Sequence, residues 1–156
     1  MDPSVLHAIR SLLDSVRVLT AAVLVDGEPV AALLPFAVGP HHTVVYVHAS
    51  GLARHTRGLQ SGVAISLAIH APDAPERDPL QLPRLTVQAE VTPLERSTPA
   101  FTVAAERLRA RFPSAAMTLD LADFTVFELR LGRGRYVEGF ARAFNVGTDT
   151  FAALGG

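Results

Sequence analysis

Val23-Leu24-Val25-Asp26-Gly27-Glu28-Pro29-Val30 is the stretch on which the fold turns. Asp-Gly between two apolar runs favours a two-residue type I′ turn, because that turn needs positive φ at both central positions. The run leading in, from Val18 through Ala22 to Val25, is rich in β-formers. The return strand is expected over Glu28–Val38, and Gly39-Pro40 marks the next turn. Thr43–Val47 reads as a third strand. In the other direction, Asp2 followed by Pro3 is a helix start, a capping carboxylate before proline at the first helical position. Val5, Ile9, Leu12 and Val16 then recur at three- and four-residue steps, so one amphipathic helix is expected over about residues 3–15.

Beyond the third strand, Ser50–Leu59 reads as a short polar helix with Ser50 as its N-cap. Val63–Ile69 is a fourth strand. Residues 71–83 carry Pro72, Pro75, Pro79 and Pro83 and form a loop. Leu85–Val91 is a fifth strand. Thr98-Pro99 opens a second helix with Phe101, Ala104, Ala105, Leu108 and Phe112 on one face, and Pro113 ends it. Phe124–Leu131 is a sixth strand, Gly132-Arg133-Gly134 a turn and Arg135–Val137 a seventh strand. Residues 139–146 are glycine-started and mixed. Hairpin connections and few crossovers favour a mainly β chain with flanking helices: an antiparallel sheet, closed or nearly closed into a small barrel with helices outside. The expectation is a single domain over residues 1–156.

The chain has 156 residues, of which 49% are hydrophobic and 19% charged. Its mean hydropathy is +0.27. That is apolar for a small chain and points to a subunit interface. All 14 basic residues are arginine. Without lysine there is no Schiff-base lysine and no P-loop. Without cysteine there is no thiol catalysis and no thiolate metal site. The formal net charge of −1 gives no general attraction to nucleic acid or anionic membrane. Met1-Asp2-Pro3-Ser4 has neither the basic start nor the apolar run of a signal peptide, and Pro35 interrupts the short apolar run Val30–Val38. A cytoplasmic protein acting on a small molecule is expected, with neither nucleic acid nor membrane as partner.

Four groups of residues can carry chemistry. The start of a helix at Ser50 would present backbone N–H groups to a phosphate, with Ser50 and Thr56 hydroxyls and the Arg54 and Arg57 guanidiniums beside them. The alternative is an ordinary capped surface helix. Leu33-Leu34-Pro35-Phe36-Ala37-Val38 is either an edge strand or a place where free backbone groups read the rim of a flat ring. The six histidines (His7, His41, His42, His48, His55, His70) lie in the first half without ligand spacing for a metal. Asp120 and Asp123 are an acid–base pair or, more simply, turn and cap residues.

Taken in order, these segments resemble the FMN-binding split-barrel family related to pyridoxamine 5′-phosphate oxidase, and most closely its haem-utilisation branch. The likeness runs over about residues 16–146. It is carried by Leu19-Thr20-Ala21, Leu34-Pro35-Phe36-Ala37, Ser50-x-Leu52-Ala53-x-His55-Thr56-Arg57-x-Leu59, and Arg84-Leu85-Thr86. It continues through Arg111-Phe112-Pro113-x-Ala115, Leu119-Asp120-x-x-Asp123-Phe124 and Arg135-Tyr136-Val137-x-Gly139-Phe140-x-Arg142-Ala143. The resemblance implies an antiparallel split β-barrel forming a homodimer, with FMN at the interface. By position, Ser50, Arg54, His55 and Thr56 would hold the phosphate, and Leu34, Pro35, Phe36 and Ala37 would run along the isoalloxazine ring. Arg142 and Phe144 would approach from the other subunit. Members of the haem branch ligate iron through a histidine near the C-terminus, whereas no histidine follows His70 here.

The expected function is therefore an FMN-binding flavoprotein of oxidoreductase type, in which the cofactor does the redox chemistry and the protein places and tunes it. The first alternative is a haem-binding or haem-degrading utilisation protein, with His41, His42 or His48 as iron ligand. The second is a dimeric binding module without catalysis.

Overall fold

The Asp26-Gly27 turn forms as expected: φ is 54° at Asp26 and 79° at Gly27 in the computed structural model, which describes residues 1–156. It joins β1 (Val18–Val25) to β2 (Glu28–Pro35), with Val25 opposite Glu28. The return strand does not run unbroken to Val38. At Phe36 the backbone N–H turns aside and donates to the Arg17 carbonyl at 3.1 Å. The next two residues, β3 (Ala37–Val38), pair instead with β4 (Val44–Ser50). Pro35 has no N–H to give a ladder, and the chain changes partner beside it.

The remaining strands are β5 (Ala64–His70), β6 (Arg84–Leu94), β7 (Phe124–Gly139) and β8 (Arg142–Val146). Their order is β2-β1-β5-β6-β7-β4-β3, with β8 added on β7, and every pairing is antiparallel. One expectation is corrected here: Gly132-Arg133-Gly134 is not a turn. Both glycines sit inside a 16-residue strand, and neither has positive φ. Gly134 is the one needed for closeness. A Cβ on Gly134 would stand 2.7 Å from the Val87 Cα and nearer still to the Thr86 carbonyl. The pairing of β6 with β7 shifts register between Val87 and Ala89, at the same place.

Four helices flank the sheet: α1 (Pro3–Ser15), α2 (Pro99–Arg111), α3 (Ala115–Leu119) and α4 (Thr148–Leu154). Asp2 caps α1 through a 2.8 Å bond from the Ser4 N–H, and Thr98 caps α2. The main core holds 30 buried residues. Alternate residues of β1 (Leu19, Ala21, Val23, Val25) meet those of β5, β6 and β7 inside the barrel. Val5, Ile9, Leu12 and Leu13 of α1 and Phe151 and Leu154 of α4 belong to the same core. Thus α1 is part of the barrel's packing rather than an outside decoration. A second core joins Val44 and Tyr46 of β4 to Ala104 and Leu108 of α2 and Ala115 and Leu119 of α3. Covered on both faces, β4 reads as continuous Val-Val-Tyr-Val without alternation. No helix is long and apolar enough to cross a membrane.

Candidate functional site

The proposed phosphate cradle is built differently from its sequence reading. Ser50 ends β4, and the chain then enters a five-residue 3-10 turn, Arg54–Gly58, whose preceding residue Ala53 makes no side-chain cap. Helix-end donors of the kind expected at Ser50 are therefore absent. The Ser50 hydroxyl donates to Asp123 at 2.9 Å and accepts from the Leu52 N–H at 3.1 Å. The Thr56 hydroxyl donates to the Ser50 carbonyl at 2.6 Å. Arg54 pairs with Glu28 at 2.5 Å, and Arg57 with Asp26 at 2.6 Å. The cationic run seen in the sequence is matched in space by acids from the neighbouring hairpin. His55 is the exception: its Nε2 is buried with no partner, and burial pushes its pKa down.

Leu34, Phe36 and Ala37 turn their side chains into the core, and Pro35 is half-buried. A ring lying along this segment would meet backbone and the exposed Leu33, not those three side chains. Arg142 pairs with Glu138 at 2.6 Å and lies 5.8 Å from the Phe144 ring centre. Both are on β8, which pairs with the opposite end of β7 from the Ser50–Phe124 pair. Within one chain these groups do not converge. Asp120 holds Arg109 at 3.1 Å and Asp123 holds Ser50, so the two aspartates act as separate structural anchors.

The histidines favoured as iron ligands are engaged or lack a groove. His42 Nε2 lies 2.9 Å from Asp14. His41 is exposed in the turn at φ 61°. Thr118 gives its proton to the Ala115 carbonyl at 3.1 Å, so its oxygen accepts from His48 Nε2 at 3.1 Å. That leaves His48 Nδ1 as a buried acceptor without a partner, and burial lowers the pKa of this ring too. No group of three or more His, Asp or Glu side chains gathers to hold a metal ion.

A groove that the sequence did not announce lies where the end of α1 leads into β1. It has a volume of about 350 Å³ and is lined by residues 15–20, Leu33, Ala68, His70 and Pro72. Register explains it. Thr20 stands opposite both Leu33 and Ala68, and period-two alternation puts Val18, Ala68 and His70 on the same outer face. Val16, Val18, Leu33 and Ala68 make apolar walls, while Ser15, Arg17, Thr20 and His70 supply polar groups. The Arg17 guanidinium lies 4.9 Å from the Phe112 ring centre and donates to the Arg111 carbonyl at 3.4 Å. His70 Nδ1 lies 2.7 Å from the Ala71 carbonyl. A carbonyl only accepts, so Nδ1 carries a proton, and in the neutral ring Nε2 keeps its lone pair. Arg84, opposite His70 in the sheet, donates to the Leu80 and Leu82 carbonyls at 2.9 and 3.1 Å and pins the proline-rich loop beside the groove.

Two roomier grooves are more polar. One, of about 450 Å³, is lined by Arg133 and Arg135, which are held by Gln88 and Asn145 at 3.0 Å each. The other, of about 440 Å³, has Arg107 and Arg111 in its wall, both donating to backbone carbonyls. The smaller groove is the better candidate because its walls are apolar and its imidazole nitrogen is free.

No protein-family model matches the chain. Its architecture is the split barrel of pyridoxamine 5′-phosphate oxidase-like proteins. A Clostridium acetobutylicum structure of the pyridoxinephosphate oxidase family, related to general stress protein 26, superposes with a TM-score of 0.70 at 13% identity, over 97% of this chain and 99% of that one. Within that architecture the chain resembles the haem-utilisation branch. It is 27% identical over 130 residues to the haem oxygenase HutZ of Vibrio cholerae, covering 83% of this chain and 73% of HutZ. A haem-binding protein from Mycobacterium smegmatis matches with a TM-score of 0.86 and 28% identity over 98% of this chain. This chain spans 62% of the length of that mycobacterial protein.

Proposed function

We propose that this chain binds haem in the groove between α1 and the outer face of β1 and β5, as a protein of haem utilisation. The observation that carries this reading is the groove's composition: apolar walls, one free imidazole nitrogen and, at the rim, the Arg17 guanidinium packed on Phe112. A porphyrin needs apolar walls, its iron takes a histidine nitrogen, and its propionates suit arginine. The donor set fits that group. Bound haem supplies an iron centre able to carry redox and dioxygen chemistry. In this chain Val16, Val18 and Leu33 would lie against the apolar ring, and Arg17 would turn from Phe112 to meet an anionic group. The two relatives of 27% and 28% identity, one named a haem oxygenase and one described as haem-binding, support the same choice. The FMN reading asks more of the molecule, because Arg54 would have to leave Glu28 and a phosphate would sit beside Asp26, Glu28 and Asp123. Titration with ferric haem, and separately with FMN, tests the choice. A saturable Soret change with haem and unquenched FMN fluorescence are expected; quenching of FMN without any Soret change would reverse it.

The groove is open on its outer side, and a second copy of the chain covers it. Val18, Leu24 and Leu33 are 43%, 65% and 69% exposed. Ala22 and Ala31 lie between them in the sheet. An apolar face of this kind is costly to leave in water. Leu33→Arg should therefore turn a dimer into a monomer in light scattering at micromolar concentration. A wild-type protein that is already monomeric would contradict this.

A further inference from the structure

We infer that His70, through Nε2, would hold the haem iron as its protein ligand; this rests on the haem reading above. Among the six histidines, His42 is tied to Asp14 and His48 to Thr118, and His41 stands in an exposed turn and lines none of the three grooves above. The unpartnered His55 nitrogen is buried. His7 lines only a shallow, mainly polar hollow of about 180 Å³. His70 alone combines exposure, an apolar groove large enough for a porphyrin edge and a fixed tautomer. The bond from Nδ1 to the Ala71 carbonyl orients the ring, the arrangement that metal-binding imidazoles use. The support is rigid: His70 is the last residue of β5, and its cross-strand neighbour Arg84 holds the following loop. The ligand thus comes from the edge of the barrel itself.

The experiment is a ferric haem titration of wild type, His70→Ala and His41→Asn, followed by absorption and electron paramagnetic resonance. His70 is exposed, so its removal leaves the core intact; circular dichroism and the melting temperature check this. Wild type and His41→Asn should give the same imidazole-ligated spectrum. His70→Ala should lose that signature and bind haem at least roughly tenfold more weakly, and added free imidazole should restore the spectrum. If His70→Ala keeps the wild-type spectrum while wild type binds haem, this assignment falls and the haem reading stands. If wild type binds no haem, both fall.

Discussion

Gly134→Ala should lower the stability of the protein by about 3 kcal/mol, at the upper end of overpacking costs. The new methyl group would meet the backbone of β6, the Thr86 carbonyl and the Val87 Cα, not a flexible side chain that can swing away. Relief would need the β6–β7 ladder to open next to its register shift, where β7 also carries β8. Gly132→Ala is the control. Its Cβ would approach one atom, the Gln88 carbonyl, at 3.2 Å, and should cost about 1 kcal/mol or less. Urea unfolding of both variants checks the contrast. A Gly134→Ala midpoint equal to wild type would mean that β6 and β7 are not so close.

The second large effect is expected from Arg111→Ala. The Arg111 guanidinium, at the end of α2, donates to the carbonyls of Leu13, Asp14 and Val16, where α1 ends. It also lies 5.1 Å from the centre of the Phe36 ring. At the end of α1 the Leu12 carbonyl is met locally, by the Val16 N–H and the Ser15 hydroxyl, so this long-range cap satisfies the Leu13 and Asp14 carbonyls that the helix leaves open. Burial pushes the Arg111 pKa down, while Asp14 pulls it up. The charge is tolerated there because those carbonyls receive its protons. Removing the side chain should cost about 2–4 kcal/mol, from lost charged hydrogen bonds and the cation–π contact. For a chain of this length that is a drop of roughly 5–12 °C in Tm. Arg111→Lys should recover part of it, since all three bonds come from the one nitrogen Nη2 and an ammonium keeps a charged donor but loses the planar contact with Phe36. Calorimetry on both variants reads the difference.

These two residues also mark how far local sequence signals reach. The Asp26-Gly27 hairpin, α1 and α2 were legible because turn chemistry, caps and periodicity agreed within a few residues. Gly132 and Gly134 misled because glycine marks a turn and a close strand approach alike, and only the packing of β6 distinguishes them. The short helices α3 and α4 went unnoticed because five and seven residues carry too little periodicity. At the site the limit was partnership. Arg54, Arg57 and Ser50 suggest a phosphate site when read along the chain, yet Glu28, Asp26 and Asp123 meet them across it. His70 lacked ligand spacing in sequence. Its setting comes from β1 lying beside β5, which brings Val18, Leu33 and Ala68 to the same face.

The most direct measurement is equilibrium binding of ferric haem to the purified wild-type protein, read from the Soret band, with FMN as competitor. Haem should saturate a defined site, with a spectrum that excess FMN leaves unchanged. A featureless, non-saturating haem titration alongside stoichiometric FMN binding would contradict the account.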